Sequence, residues 1–248
     1  MVLTEDSSED APTVHAAMIR AMLGLLEPTY DRGSVALEPA TAPQRLAMRG
    51  NGWDGTGPEY EPRRRTLVRD IATRICQNNI SFVVFHYDGD RPWATHANCP
   101  RHATFRHWIV TRVQQLIPPR FSPEQRARAL ARLITVVPFY SVEAWLFQNT
   151  AVATGLCMKH HGGAHAADFD AWASDRGALD EVVKPKEVAC LHDKHNRDLA
   201  TENFPAQVVH GAEKSFFAAV ETFRACVDLR GALAAIARAP STGAVQAS

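Results

Sequence analysis

The run Ser81-Phe82-Val83-Val84-Phe85-His86-Tyr87 constrains this chain more than any other segment. It is apolar on both faces, the pattern of a central strand in a parallel sheet, and Asp88-Gly89-Asp90 ends it abruptly. A strand of this kind needs helices on both sides of its sheet. Val14, Ala17, Met18, Ala21, Met22 and Leu25 recur at helical spacing, with Pro12 in the first turn and Ser8 or Asp10 as the cap. Leu67, Ile71 and Ile75 mark one face of a second helix over 63–77. Further helices are predicted around Phe105 to Leu116, from Val142 to Gln148 and within Ala212 to Ala235. Val2 to Thr4 reads as a short first strand, Ser34 to Leu37 as a weak second one and Leu133 to Val137 as another.

From Ala40 to Pro62 glycine, proline and polar residues dominate, which predicts a long loop. Its Gly50-Asn-Gly-Trp-Asp-Gly-Thr-Gly57 run lacks the lysine and the Ser/Thr of a phosphate-binding P-loop, and reads as flexible. The expected fold is therefore α/β, a small parallel sheet flanked by helices, with a helical C-terminal extension. Residues 1–150 form the α/β part, 151–238 a helical subdomain packed on it, and 239–248 a flexible tail.

The 248 residues suffice for one such unit, and 46% hydrophobic with 22% charged residues is an ordinary globular composition. Lysine plus arginine equals aspartate plus glutamate at 27 each, which excludes a bulk positive field. A nucleic-acid partner must then use a local patch: Arg63-Arg64-Arg65, or the series Arg120, Arg126, Arg128 and Arg132. The plain alternative is solvated arginines on helix faces. Five scattered cysteines make no disulfide framework. With an acidic start, Glu5-Asp6, in place of a basic signal sequence, and no membrane-spanning run, a cytoplasmic location is expected.

Residues two apart in an extended segment face the same side, so Asp88 and Asp90 can present two carboxylates to one ion beyond the strand end. Glu5 leaves the first strand at the equivalent edge, and Glu9 follows four residues later. Hard oxygen donors of this kind suit Mg²⁺ or Mn²⁺. Read alone, Asp-Gly-Asp is also an ordinary turn.

The order of these motifs resembles a TOPRIM domain, the fold shared by topoisomerases, bacterial primases and nucleases of the overcoming-lysogenization-defect family. Val2-Leu3-Thr4-Glu5-Asp6-Ser7-Ser8-Glu9 resembles the family's glutamate after the first strand, and Val83 to Asp90 its Asp-x-Asp. Pro138 to Phe147, which includes Glu143, is similar to a segment of small standalone bacterial TOPRIM-like proteins, as are Lys184-Pro185-Lys186-Glu187 and Lys214-Ser215-Phe216-Phe217. Asp6 departs from the pattern, standing where that family has glycine.

The resemblance implies a metal-dependent nuclease acting on DNA or RNA, with Glu5, Asp88 and Asp90 as catalytic residues. The ions would be held by Glu5, Glu9, Asp88, Asp90 and Glu143, one or two in number. Lys194 or Lys214 would meet the transferred phosphate, although both also read as surface lysines. Glu143 has an equal alternative as a carboxylate at a helix start. The resemblance also implies an effector of bacterial antiphage defence or a toxin-like system, working with a separate ATPase. Competing functions are a primase-like or other phosphoryl-transfer enzyme, and a catalytically silent TOPRIM interaction module.

Two groups of soft ligands remain: Cys157, His160, His161 and His165, then Cys190, His192 and His195. Their spacings match no standard zinc finger, so surface histidines are expected here and zinc is not. Leu191 to Asn196 invites comparison with ββα-metal nucleases, but the residues before it look helical instead of forming the required hairpin. His86 is expected in the core, with a supporting role toward Asp88 possible.

Overall fold

The computed structural model describes residues 1–77 and 81–238, so the expected tail, 239–248, lies outside the described residues. Three strands, β1 (Val2–Thr4), β2 (Val83–His86) and β3 (Leu133–Val136), form a wholly parallel sheet in the order β1-β2-β3. Val84 pairs with Val2 on one side and Ile134 on the other, which makes β2 the central strand. Its four residues are all buried, as its two-faced apolar sequence requires.

Between β1 and β2 run α1 (Ala11–Leu26), α2 (Ala42–Met48) and α3 (Glu61–Ile75). Between β2 and β3 run α4 (Pro100–Phe105), a π-helical stretch (Arg106–Val110), α5 (Thr111–Leu116) and α6 (Pro123–Ala131). After β3 the chain is helical: α7 (Glu143–Leu146), α8 (Thr150–His161), α9 (Ala166–Ser174), α10 (Pro185–Val188), α11 (Asn196–Thr201), α12 (Ala206–Gly211), α13 (Ser215–Ala225) and α14 (Val227–Arg238).

Alternation along each strand divides the core into two layers. Val2, Val84, Ile134 and Val136 face a layer built from Val14, Met18 and Met22 of α1 and from C-terminal side chains such as Trp145, Phe216 and Phe223. Leu3, Val83 and Phe85 face the other, with Trp53, Leu67, Ile71 and Ile109. Each such side chain, fully buried, stabilises the fold by about 1.5–3 kcal/mol before entropy is counted. The helices after residue 150 thus complete one face of the sheet, and α13 packs on both α1 and β3.

Three sequence expectations need correction. Ser34–Leu37 forms no strand: Arg32–Ser34 is a single 3-10 turn, and Pro39, just after, makes an isolated parallel bridge to Val2. The helix expected within 212–235 is two helices, broken at Cys226, whose backbone is extended. The glycine-rich loop is anchored, because Trp53 lies in its middle, 0% exposed and packed edge-on against Phe85 and Phe105.

Candidate active site

The carboxyl ends of β1 and β2 lie side by side, since Thr4 pairs with His86. Just beyond, Glu5 and Asp88 meet across that edge: the Asp88 backbone N–H donates to Glu5 Oε2 at 3.1 Å. The Glu5 carboxylate also accepts from Trp53 Nε1. Arg101, in the first turn of α4, binds the same carboxylate through both terminal nitrogens, one of them at 2.9 Å. Its guanidinium further contacts Asp54 Oδ2 at 2.9 Å, Asp90 Oδ2 at 3.1 Å and the Asp88 carbonyl at 2.8 Å. Glu5, Asp54 and Asp90 are therefore gathered on one cation. Burial pushes the Glu5 carboxyl upward, with Arg101 and Trp53 opposing it. Against its own burial, Arg101 is held firmly charged by Glu5, Asp54 and Asp90.

Asp88 has the opposite environment. Its Oδ1 is hidden from solvent with no hydrogen-bond partner, and the nearest cation-forming group, His86 Nε2, is 3.6 Å away and equally unpartnered. Burial, with Glu143, Glu5 and Asp90 adding repulsion, raises the Asp88 carboxyl well above the usual carboxylate range. Burial likewise pushes His86 far below the ordinary histidine value, with nearby His15 adding to it. Thr4 Oγ1 links His86 Nδ1 at 3.1 Å to His15 Nε2 at 2.9 Å, and His15 faces Asp6 at 3.8 Å. A polar chain thus runs from half-buried Asp6 through buried His15, Thr4 and His86 toward half-buried Asp88. Despite its own burial, Asp6 is held well below the carboxylate range by His15 and the Ser8 N–H, and its charge is spent there instead of on Glu5.

Glu143 adds repulsion at Asp88. It is 2% exposed, accepts from Ser141 Oγ at 2.7 Å and Asn196 Nδ2 at 2.8 Å, and lies 3.0 Å from Lys186 Nζ. Lys186 also reaches Asp193 at 2.6 Å. Between these groups the loop Asp88–Asp90 is tightly seated. Gly89 is required because a Cβ there would stand 2.6 Å from the Phe139 ring, while Asp90 takes a left-handed φ of 53°. The sharp bend thus falls on Asp90 and the close approach on Gly89.

Behind this loop opens a cleft of about 500 Å³ with aromatic walls that include Tyr87, Trp93, His96, His102 and Phe139. Trp93 and His96 stack with centroids 3.8 Å apart.

Of the residues grouped from sequence, Glu5 accepts from the Asp88 backbone and shares Arg101 with Asp90, while the Gly89 and Asp90 backbones donate to Pro138 and Tyr140 in the segment that leads to Glu143. Glu9 is placed elsewhere: it is exposed and lines a groove of about 540 Å³ with Asp6, Arg20, Arg45 and Arg49. Arg64 is not a surface residue. It is 2% exposed, donates to the Trp53 and Gly55 carbonyls, and lies 4.0 Å over the Trp108 ring. Arg63 and Arg65 remain exposed, Lys194 is exposed beside His161, and Lys214 pairs with Glu181 at 3.2 Å. Asp54, Arg101, Lys186 and Asn196 went unassigned. Pro100, a first-turn residue just before Arg101, was the available signal for Arg101.

Beside the unpartnered His86 Nε2 the groups facing Asp88 are carboxylates, and a buried unpartnered carboxylate oxygen flanked by Glu5 and Glu143 fits a hard divalent cation. On the Glu5–Asp54–Asp90 side, Arg101 already supplies the positive charge. Among the described residues no three His, Cys, Asp or Glu side chains stand ready in ligating geometry, and no helix is long and apolar enough to cross a membrane. Comparison with protein-family models, with curated proteins and with solved structures finds no match.

Proposed function

We propose that the chain is a TOPRIM-like, Mg²⁺- or Mn²⁺-dependent nuclease that hydrolyses phosphodiester bonds of DNA or RNA. The observation that carries this reading is the meeting of Glu5, Asp88, Asp90 and Glu143 at the carboxyl edge of a parallel sheet, with Asp88 Oδ1 buried and unpartnered. Asp88, Glu5 and Glu143 would hold the cation, which supplies a polarised phosphoryl oxygen and a water of lowered pKa. Arg101 and Lys186, each bound to carboxylates of the centre, would bind and orient a phosphate. They take the role first given to Lys194 and Lys214. The aromatic cleft behind Asp88–Asp90 offers stacking surfaces for a base, which favours nucleic acid over a small phosphate ester. Participation in antiphage defence with a separate ATPase belongs to the same reading.

A second reading, a catalytically silent module, draws on Arg101, which already gathers three carboxylates on one guanidinium. The two separate in one experiment. Plasmid, single-stranded DNA and RNA are incubated with the protein in Mg²⁺ or Mn²⁺, beside an Asp88→Ala/Asp90→Ala variant. Cutting by the parent chain alone is the expected result, and cutting that survives the double substitution overturns the site. No cutting, with no cation binding by calorimetry, selects the silent module. Incorporation of nucleotides in place of cleavage selects a primase-like enzyme.

A further inference from the structure

The fold joins the two cysteine–histidine groups that stand apart in sequence. Cys157 and His161 lie four residues apart near the end of α8, on one face of the helix. Cys190 and His192 lie two apart in the non-helical segment between α10 and α11. Cys190 packs against the core cluster that contains Cys157, close enough for the two thiols to interact, and the His161 and His192 rings are 6.1 Å apart. His161 Nε2 is hidden from solvent and has no hydrogen-bond partner.

We infer that Cys157, His161, Cys190 and His192 form a zinc site that pins α8 to the segment before α11, a structural role separate from the acidic centre. Two thiolates with two imidazoles are a donor set that selects zinc over magnesium. Imidazoles on one tetrahedral ion, with Zn–N of about 2.0–2.1 Å, have ring centres about 5 Å apart, so the observed separation is about one ångström from closure. The donors are gathered without converging on one point. Closure asks for rotamer changes at exposed His192 and half-buried His161 and Cys190, against a Cys157 fixed in the core.

The surroundings decide between candidate histidines. His195 Nδ1 accepts the His192 backbone N–H at 3.1 Å, which leaves its proton on Nε2 and removes it as a ligand. His165 holds Asp168 at 2.8 Å through Nδ1, and its backbone N–H donates to Cys157 Sγ at 3.4 Å. Exposed His160 faces His195.

The full chain, expressed with zinc in the medium, is tested by elemental analysis and by cobalt substitution. About one zinc per chain is expected, and the Co²⁺ form should show the strong visible absorption of a tetrahedral ion with thiolate-to-cobalt charge transfer. Cys157→Ser, Cys190→Ser, His161→Ala and His192→Ala should each lower the zinc content severalfold, while His160→Ala and Asp88→Ala retain it. A chain without zinc whose Co²⁺ titration lacks thiolate charge transfer overturns the site, whether or not the variants fold. So does full retention of zinc in both cysteine variants, or its loss in His160→Ala.

Discussion

At the scale of single residues, Arg101 has the most consequential position. It sits in a first helical turn, where the helix dipole disfavours a cation, and Glu5, Asp54 and Asp90 outweigh that cost. Removing it leaves partly buried carboxylates uncompensated. Arg101→Gln should therefore lower stability by about 2–4 kcal/mol. If guanidinium and metal serve the same carboxylates, Mg²⁺ should raise the melting temperature of the variant more than that of the parent. Equal shifts would dissociate Arg101 from the cation. Asp180 offers a test by pH. It is 1% exposed, accepts from Ser215 and Gln148, and burial pushes its carboxyl from 3.8 to about 7. The folded chain keeps a proton that the unfolded chain has released, so this group's contribution declines as pH rises from about 4 through about 7. Asp180→Asn should remove the decline: its melting temperature relative to the parent should be higher at about pH 8 than at about pH 5.

At the scale of elements, the loop Asp88–Asp90 is defined by what it touches. Gly89→Ala drives a methyl group into Phe139, itself 2% exposed, and should cost about 1–3 kcal/mol in chemical denaturation. A variant as stable as the parent would mean that Phe139 yields freely. The β2 strand and its acidic end were legible because a two-faced apolar run followed by Asp-Gly-Asp has few other readings. The helical faces of α1 and α3 were legible from periodicity for the same reason. Arg101 was not: expecting the helix to begin at Phe105 placed it outside regular structure, whereas Pro100 starts α4. Trp53 was missed because glycine-rich composition suggests freedom, although one buried indole suffices to fix such a loop. Lys186 and Asn196 reach Glu143 only through tertiary packing between α7, α10 and α11, which no local pattern encodes.

At the scale of the whole molecule, the two ends of the chain's helical layers are tied by charge as well as by apolar contact. Asp228, in the first turn of α14, receives Arg128 of α6 and, at 2.8 Å, Arg132 just beyond it. Both arginines were candidates for a nucleic-acid patch, and both are committed to this carboxylate. Asp228→Ala strands them and removes a favourable charge from a helix start, so it should cost about 2 kcal/mol in thermal or denaturant unfolding. With 27 basic and 27 acidic residues, the surface has little net field to draw in a polyanion, and recognition must be local.

The strand pairing has a kinetic corollary. Val2 must find Val84, and Val84 must find Ile134, so every ladder in the sheet joins remote parts of the chain. Loops of that length close slowly, whereas helices form from neighbours. On dilution from denaturant, helical circular dichroism should recover first. In a variant that keeps Trp53 as its one tryptophan, the emission that reports burial beside Glu5 and Phe85 should return in a later phase together with any cation binding, because Glu5 and Asp88, just beyond β1 and β2, share no edge until those two strands have paired.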